Sequence, residues 1–144
     1  MVRREISGES WIGDVNREIE LHDSDIIAIV GEPSAVVLRL KAFVHYSDGA
    51  PGRSAGTVWI HVAELRFESG RCSHPLPQLP VEISDGTLHL GTERFANVFP
   101  SEIDHHGSTR LAFELLTGDT FSVEGSALRV TLIDTGTYIE DFSP

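Results

Sequence analysis

Seven histidines, His22, His45, His61, His74, His89, His105 and His106, are the residues of this chain best suited to chemistry. Imidazole ligates metals and exchanges protons near neutral pH. A zinc site would show closely spaced pairs such as H-x₃-H, or H-E-x-x-H on a helix, and neither spacing occurs. The two-histidine-plus-glutamate pattern of cupins is also absent. His105 and His106 would point to opposite sides of an extended chain, so they could join Asp104 and the distant His22-Asp23 only through the fold. A metal-dependent enzyme would be built from His22, Asp23, His105 and His106. The plainer reading of residues 101–108 is a polar loop, and no motif implies a metal or other cofactor.

His61 stands apart because of its company. Trp59, His61, Ala63, Leu65 and Phe67 alternate onto one face of an extended segment, and Tyr46 ends the matching face of residues 36–46. An inward Tyr46, Trp59 and His61 at one end of a barrel would make an apolar wall with polar handles, the pattern of a small-molecule site. The blander alternative is a packed core in which each polar atom finds a backbone partner. Cys72 and His74 could form a thiol nucleophile with its base, but the segment is rich in proline and shows no orienting third group. His22-Asp23-Ser24-Asp25 is a dense polar cluster, read more simply as a turn. G-x-S-x-G, P-loop, dinucleotide-binding and EF-hand motifs are absent, so a non-enzyme is favoured. With 22 acids, carboxylate pairs for glycoside cleavage are too many to choose among.

The elements that would hold these residues are strands. Residues 36–46 alternate Val36, Leu38, Leu40, Ala42, Val44 and Tyr46 against Val37, Arg39, Lys41, Phe43 and His45. Residues 47–56 are a Gly/Ser/Pro loop, and alternation resumes over 57–67. An antiparallel hairpin with Val44 opposite His61 sets Lys41 against Glu64, a favourable pair, and Arg39 against Arg66, an unfavourable one. A slip of two residues keeps the same side chains inside. Residues 26–30 precede a Gly31–Ser34 turn, and residues 71–80 form a loop or an edge crossing. Further strands are expected at 81–83 and 87–90, flanking Ser84-Asp85-Gly86 as a hairpin, and at 95–99. Four more follow at 109–116, 120–124, 127–133 and 137–142. No amphipathic helix, repeat or linker interrupts them. The expectation is an all-β, single-domain antiparallel meandering β-barrel over residues 1–144, with 1–20 less regular; a β-sandwich is the alternative.

Composition narrows the partners. A chain of 144 residues holds one full core. Acids outnumber bases 22 to 11, for a formal net charge of −11, which argues against nucleic acid and anionic membrane surfaces. The single cysteine, Cys72, allows no intrachain disulfide and fits a reducing compartment. The first 21 residues carry no apolar run of signal-peptide length, so a cytoplasmic protein is expected.

Leu21-His22-Asp23-Ser24, with the apolar stretch 26–30 after it, resembles the opening of a family of small uncharacterised bacterial all-β proteins with a Leu-His-Asp-Ser/Ala stretch. The ending Tyr138-Ile139-Glu140-Asp141-Phe142 is similar to the close of some of them. The resemblance covers about ten residues closely. It implies an all-β domain and brings no activity, cofactor or catalytic residue.

No single activity follows from these residues. The first expectation is a non-enzymatic β-domain that binds a small molecule or a protein partner through Tyr46, Trp59 and His61. The second is an acidic intracellular inhibitor or immunity-type protein, steered by charge to a basic protein. The third is the metal-dependent enzyme.

Overall fold

Alternating patterns that bury one face need a partner surface, and here the strands supply it to each other by closing. The computed structural model describes residues 4–6, 10–12, 16–47, 49 and 55–143, with side-chain surroundings from residue 16 onward. Twelve strands are present among them: β1 (Arg4–Ile6), β2 (Ser10–Ile12), β3 (Arg17–Glu32), β4 (Ala35–Ser47), β5 (Gly56–Glu68) and β6 (Arg71–Cys72). They continue with β7 (Val81–Leu90), β8 (Glu93–Ala96), β9 (Val98–Pro100), β10 (Ile103–Leu115), β11 (Thr120–Leu132) and β12 (Thr137–Phe142). No helix among the described residues is long and apolar enough to cross a membrane.

Six strands close an antiparallel barrel in the order β3, β4, β5, β11, β10, β7 and back to β3. It consists of two three-stranded meanders, β3–β4–β5 and β7–β10–β11, set side by side. Residues 69–80 carry the chain from the first meander to the second, as the proline-rich crossing predicted there requires. Closure leaves the six strands of the cylinder without free edges. Inside lie Ile19, Leu21, Leu38, Leu40, Leu65, Phe67, Leu88, Phe99, Leu111, Phe113, Phe121 and Val123, all buried. Phe113 and Phe121 stack at 6.2 Å.

The β4–β5 hairpin is slipped by two residues from the register with Val44 opposite His61. Val44 pairs with Trp59 and Ala42 with His61. The physical gain is on the outer face, where Arg39 meets Glu64 at 3.3 Å instead of facing Arg66. The inner set is unchanged, as a period of two demands.

Two glycines expected to mark turns lie inside continuous strands. Ser84-Asp85-Gly86 is the middle of β7, and Gly125-Ser126 is the middle of β11. A Cβ on Gly86 would stand 2.6 Å from Leu21 Cδ1 and 3.1 Å from the Ala112 carbonyl oxygen. One on Gly125 would stand 2.6 Å from the Glu68 carbonyl oxygen and 3.2 Å from Phe67 Cβ. Close approach, not a reversed chain, is what these positions need. Residues 101–108, expected to be a loop, mostly form the start of β10, where Ile103 and His105 point inward. The expected strand at 95–99 is broken at Asn97, whose φ is 65°. Among the described residues before position 20, β1, β2 and the start of β3 are extended, and Ile19 is an inward core residue.

Leu21-His22-Asp23-Ser24 is a bulge in β3, between the pairings of Glu20 with Phe43 and of Asp25 with Lys41. Asp23 has φ 70°. Ser24 is wholly buried; its hydroxyl donates to the Glu20 carbonyl at 2.6 Å and accepts from the Phe43 N–H at 3.0 Å. At this bulge β3 changes its neighbour, pairing with β9 before it and β7 after it. Asn97 closes the seam, taking the Leu21 and His22 amides on its backbone and side-chain oxygens, both at 2.8 Å.

Candidate functional site

The barrel brings Tyr46, Trp59 and His61 together at the end of the β4–β5 hairpin. Tyr46 and Trp59 stack with centroids 5.1 Å apart, and both are half-buried. His61 is only 2% exposed. Its Nε2 lies 2.5 Å from the Tyr46 hydroxyl and its Nδ1 lies 3.1 Å from Asp134 Oδ1. In the neutral imidazole the partners decide the tautomer. A carboxylate only accepts, so Nδ1 carries the hydrogen and Nε2 accepts from the phenol. Asp134 Oδ1 also accepts the Val62 N–H at 3.1 Å.

The loop between β11 and β12 presses this group into place. Gly136 has φ 78°, and a Cβ there would fall 2.5 Å from two atoms of the His61 ring. Only glycine allows the loop to lie so close over the imidazole. β12 then runs beside β5, and Tyr138 pairs with Trp59 and meets its ring edge-on at 5.8 Å. The Trp59 indole N–H donates to Thr57 Oγ1 at 2.8 Å. The Arg17 guanidinium stands 5.5 Å from the Tyr46 ring centre. The hydrogen bond from Tyr138 to Asp141, at 2.7 Å, holds that phenol above the ordinary tyrosine range, and the nearby charges of Asp141 and Glu140 add to it.

Asp134, Gly136, Tyr138, Thr57 and Arg17 belong to this site and were not among the residues singled out. Asp134-Thr135-Gly136 reads as turn punctuation, and Asp134 lies 73 positions from His61. The polar atoms of His61 find side-chain partners, where a plain core histidine would be expected to use backbone. The chemical consequence is orientation. With both nitrogens engaged the imidazole has one setting, and it holds the Tyr46 ring against Trp59.

The other candidates fall elsewhere. His22 Nδ1 bonds the Ser84 carbonyl at 2.8 Å, which, with the charge of Asp23, raises its pKa above the ordinary histidine value. His105 is buried under the bulge of β10, with Gly107 against its ring, while His106 is exposed beside Asp104 at 3.4 Å. His22, Asp23, His105 and His106 are therefore not brought together, and no group of three metal-ligating side chains assembles among the described residues. Burial pushes the Cys72 thiol pKa up, the wrong direction for a nucleophile.

A third buried histidine lies on the outer side of β4. His45 contacts Glu20 at 3.5 Å and meets the Phe142 ring edge-on at 5.5 Å. The hydrogen bond from His45 holds the Glu20 carboxyl below the usual carboxylate range, against the opposing effect of burial. No protein-family model, curated protein or solved structure matches this chain.

Proposed function

We propose that this protein is a non-enzymatic binding barrel that takes a small molecule at the mouth formed by β4, β5 and β12. One observation carries the reading: a half-exposed Tyr46–Trp59 stack is held from behind by the Tyr46–His61–Asp134 hydrogen bonds. Rings fixed in this way lose little freedom on binding, which favours affinity. Arg17 already covers one face of Tyr46, so a ligand's charge is met by the rim carboxylates rather than by that ring face. The carboxylates of Asp134, Glu140 and Asp141 near the rim favour a positive charge. The ligand is accordingly a flat apolar body bearing a positive charge.

Benzyltrimethylammonium is the probe. The chain has two tryptophans, so a Trp11→Phe background leaves Trp59 as the sole indole reporter. Saturable quenching of Trp59 that is lost on Tyr46→Leu is the expected result. No change in Trp59 emission up to about 10 mM probe overturns the reading.

A second reading, an acidic face that docks a basic protein, is favoured by the exposure of Ile133, Tyr138 and Ile139 beside those same carboxylates. Poly-lysine separates the two. NMR shifts confined to Ile133, Ile139 and the rim carboxylates, with Tyr46 and Trp59 unmoved, favour protein docking.

A further inference from the structure

On the opposite meander the outer face carries an unusual row of bases. Arg94 on β8 pairs with His89 on β7, and His89 pairs with Arg110 on β10. Directly paired residues on neighbouring strands share a face with Cβ atoms about 4.5–5.5 Å apart, so the row sets two guanidinium groups on either side of one imidazole. Elsewhere among the described side chains the arginines are neutralised or covered. Arg39 meets Glu64, Arg66 meets Glu32 and Glu68, Arg71 meets Glu124, Arg129 meets Asp104, and Arg17 lies over Tyr46. Arg94 and Arg110 have no ion pair, side-chain hydrogen bond or ring contact among the described residues. Glu124, in register with Arg110 across β11, is already 3.0 Å from Arg71.

Beside this row lies a groove of about 330 Å³, with Arg110 in its wall. That volume is within the range of small-molecule clefts. Its floor is the next row of the sheet, Thr87–Ala112–Ser122, whose side chains are small. Its far side is the row Asp85–Glu114–Thr120. Four residues of strand separate Arg110 from Glu114, roughly 13 Å. Ser73 shuts one flank, exchanging hydrogen bonds with the Ser122 backbone at 2.9 Å.

We infer that this groove binds a small hydroxyl-rich phosphate monoester, a sugar monophosphate. The phosphate sits on the Arg94–His89–Arg110 row, where guanidinium forks match phosphate oxygens and the imidazole between them adds an N–H donor. The sugar body lies over Ala112, with its hydroxyls donating to Asp85 and Glu114 and meeting Thr87 and Ser122. The two carboxylates repel a second anionic group, so the ligand carries its charge at one end. The inference is independent of the ligand site at the barrel mouth.

Titration of the full chain with ribose 5-phosphate, inorganic phosphate and ribose at low salt tests it, followed by amide NMR shifts. Ribose 5-phosphate is expected to shift Thr87, His89, Arg110 and Ser122 and to bind more tightly than phosphate, with ribose inert. Arg110→Gln, at an exposed position that does not endanger folding, is expected to weaken binding by at least about tenfold. Ala112→Gln is expected to abolish the preference over inorganic phosphate while keeping phosphate binding. No shifts up to about 10 mM ligand, or equal affinity in Arg110→Gln, overturns the inference. Equal binding of phosphate and ribose 5-phosphate to the unaltered chain overturns the sugar assignment.

Discussion

Removing the Asp134 carboxylate takes an acceptor from two donors at once, the His61 Nδ1–H and the Val62 N–H, each 3.1 Å away. Asp134 itself is 42% exposed, so water reaches its place and can satisfy the Val62 amide. The imidazole is 2% exposed and has no such remedy. An unpaired buried donor costs about 1–3 kcal/mol, and Asp134→Ala is expected within that range. Asp134→Asn keeps an acceptor and should cost less. Tyr46→Phe removes the phenolic donor to Nε2, at about 0.5–1.5 kcal/mol. Because both partners act on one ring, the two substitutions are coupled. Once one partner is lost, the imidazole is free to change tautomer or rotate, and the second loss is smaller. Urea unfolding of the four proteins, compared at a common m-value, gives the cycle. The double variant should be more stable than the sum of the single changes predicts by more than about 0.5 kcal/mol. Additivity within that margin, or an Asp134→Ala protein as stable as the unaltered one, would refute the claim that these three groups form one unit.

Other expectations follow from the same geometry. Gly125→Ala forces a Cβ to 2.6 Å from a backbone oxygen and should cost about 1–3 kcal/mol, whereas Gly31→Ala meets nothing within 4 Å and should be neutral or stabilise by about 0.4–1 kcal/mol. Equal denaturation midpoints for the two would sink the close-approach account. Ser24→Ala leaves the Phe43 N–H without its acceptor in a buried seam, and a loss of about 1–3 kcal/mol should appear in urea unfolding. The Glu20 carboxyl is held below its ordinary pKa, so its contribution is present above pH 4.5 and is lost as pH falls through the lower folded value. The unaltered protein should therefore exceed Glu20→Gln in stability at pH 6 by about 0.2–1 kcal/mol, the pair being partly screened. The two should converge as pH falls from 4.5 through the lowered folded value, and a gap that stays constant from pH 6 through the acid limb of the folded range would contradict the assignment.

The inner face of β4 and β5 was legible because a period of two admits a single division of side chains, and burial of one face enforces it. The same rule made the register ambiguous by two residues. Arg39 and Glu64 resolved it through their own pairing. Histidines concealed the early part of β10, since His105 inside and His106 outside do not read as apolar alternation. Gly86 and Gly125 misled for a related reason. Glycine serves both a turn and a close approach, and local sequence does not distinguish them. Only the neighbouring Ala112 and Glu68 backbones, brought up by the closed barrel, show which need is met.

By itself the sequence determined an all-β chain of antiparallel strands and the grouping of Tyr46, Trp59 and His61 on one inner face. These depend on residue type and on spacing along one or two adjacent strands. Closure into a barrel rather than a sandwich was decided by the packed chain. Tertiary structure also decided what Tyr46, Trp59 and His61 touch. Asp134 reaches His61 because β11 lies beside β5, and Tyr138 reaches Trp59 because β12 continues along that strand. The row Arg94–His89–Arg110 arises in the same way, from three strands whose order is set by the closure of the barrel. Such contacts depend on which strands become neighbours and in what register, and strand order is a property of the whole packed chain rather than of any segment in it.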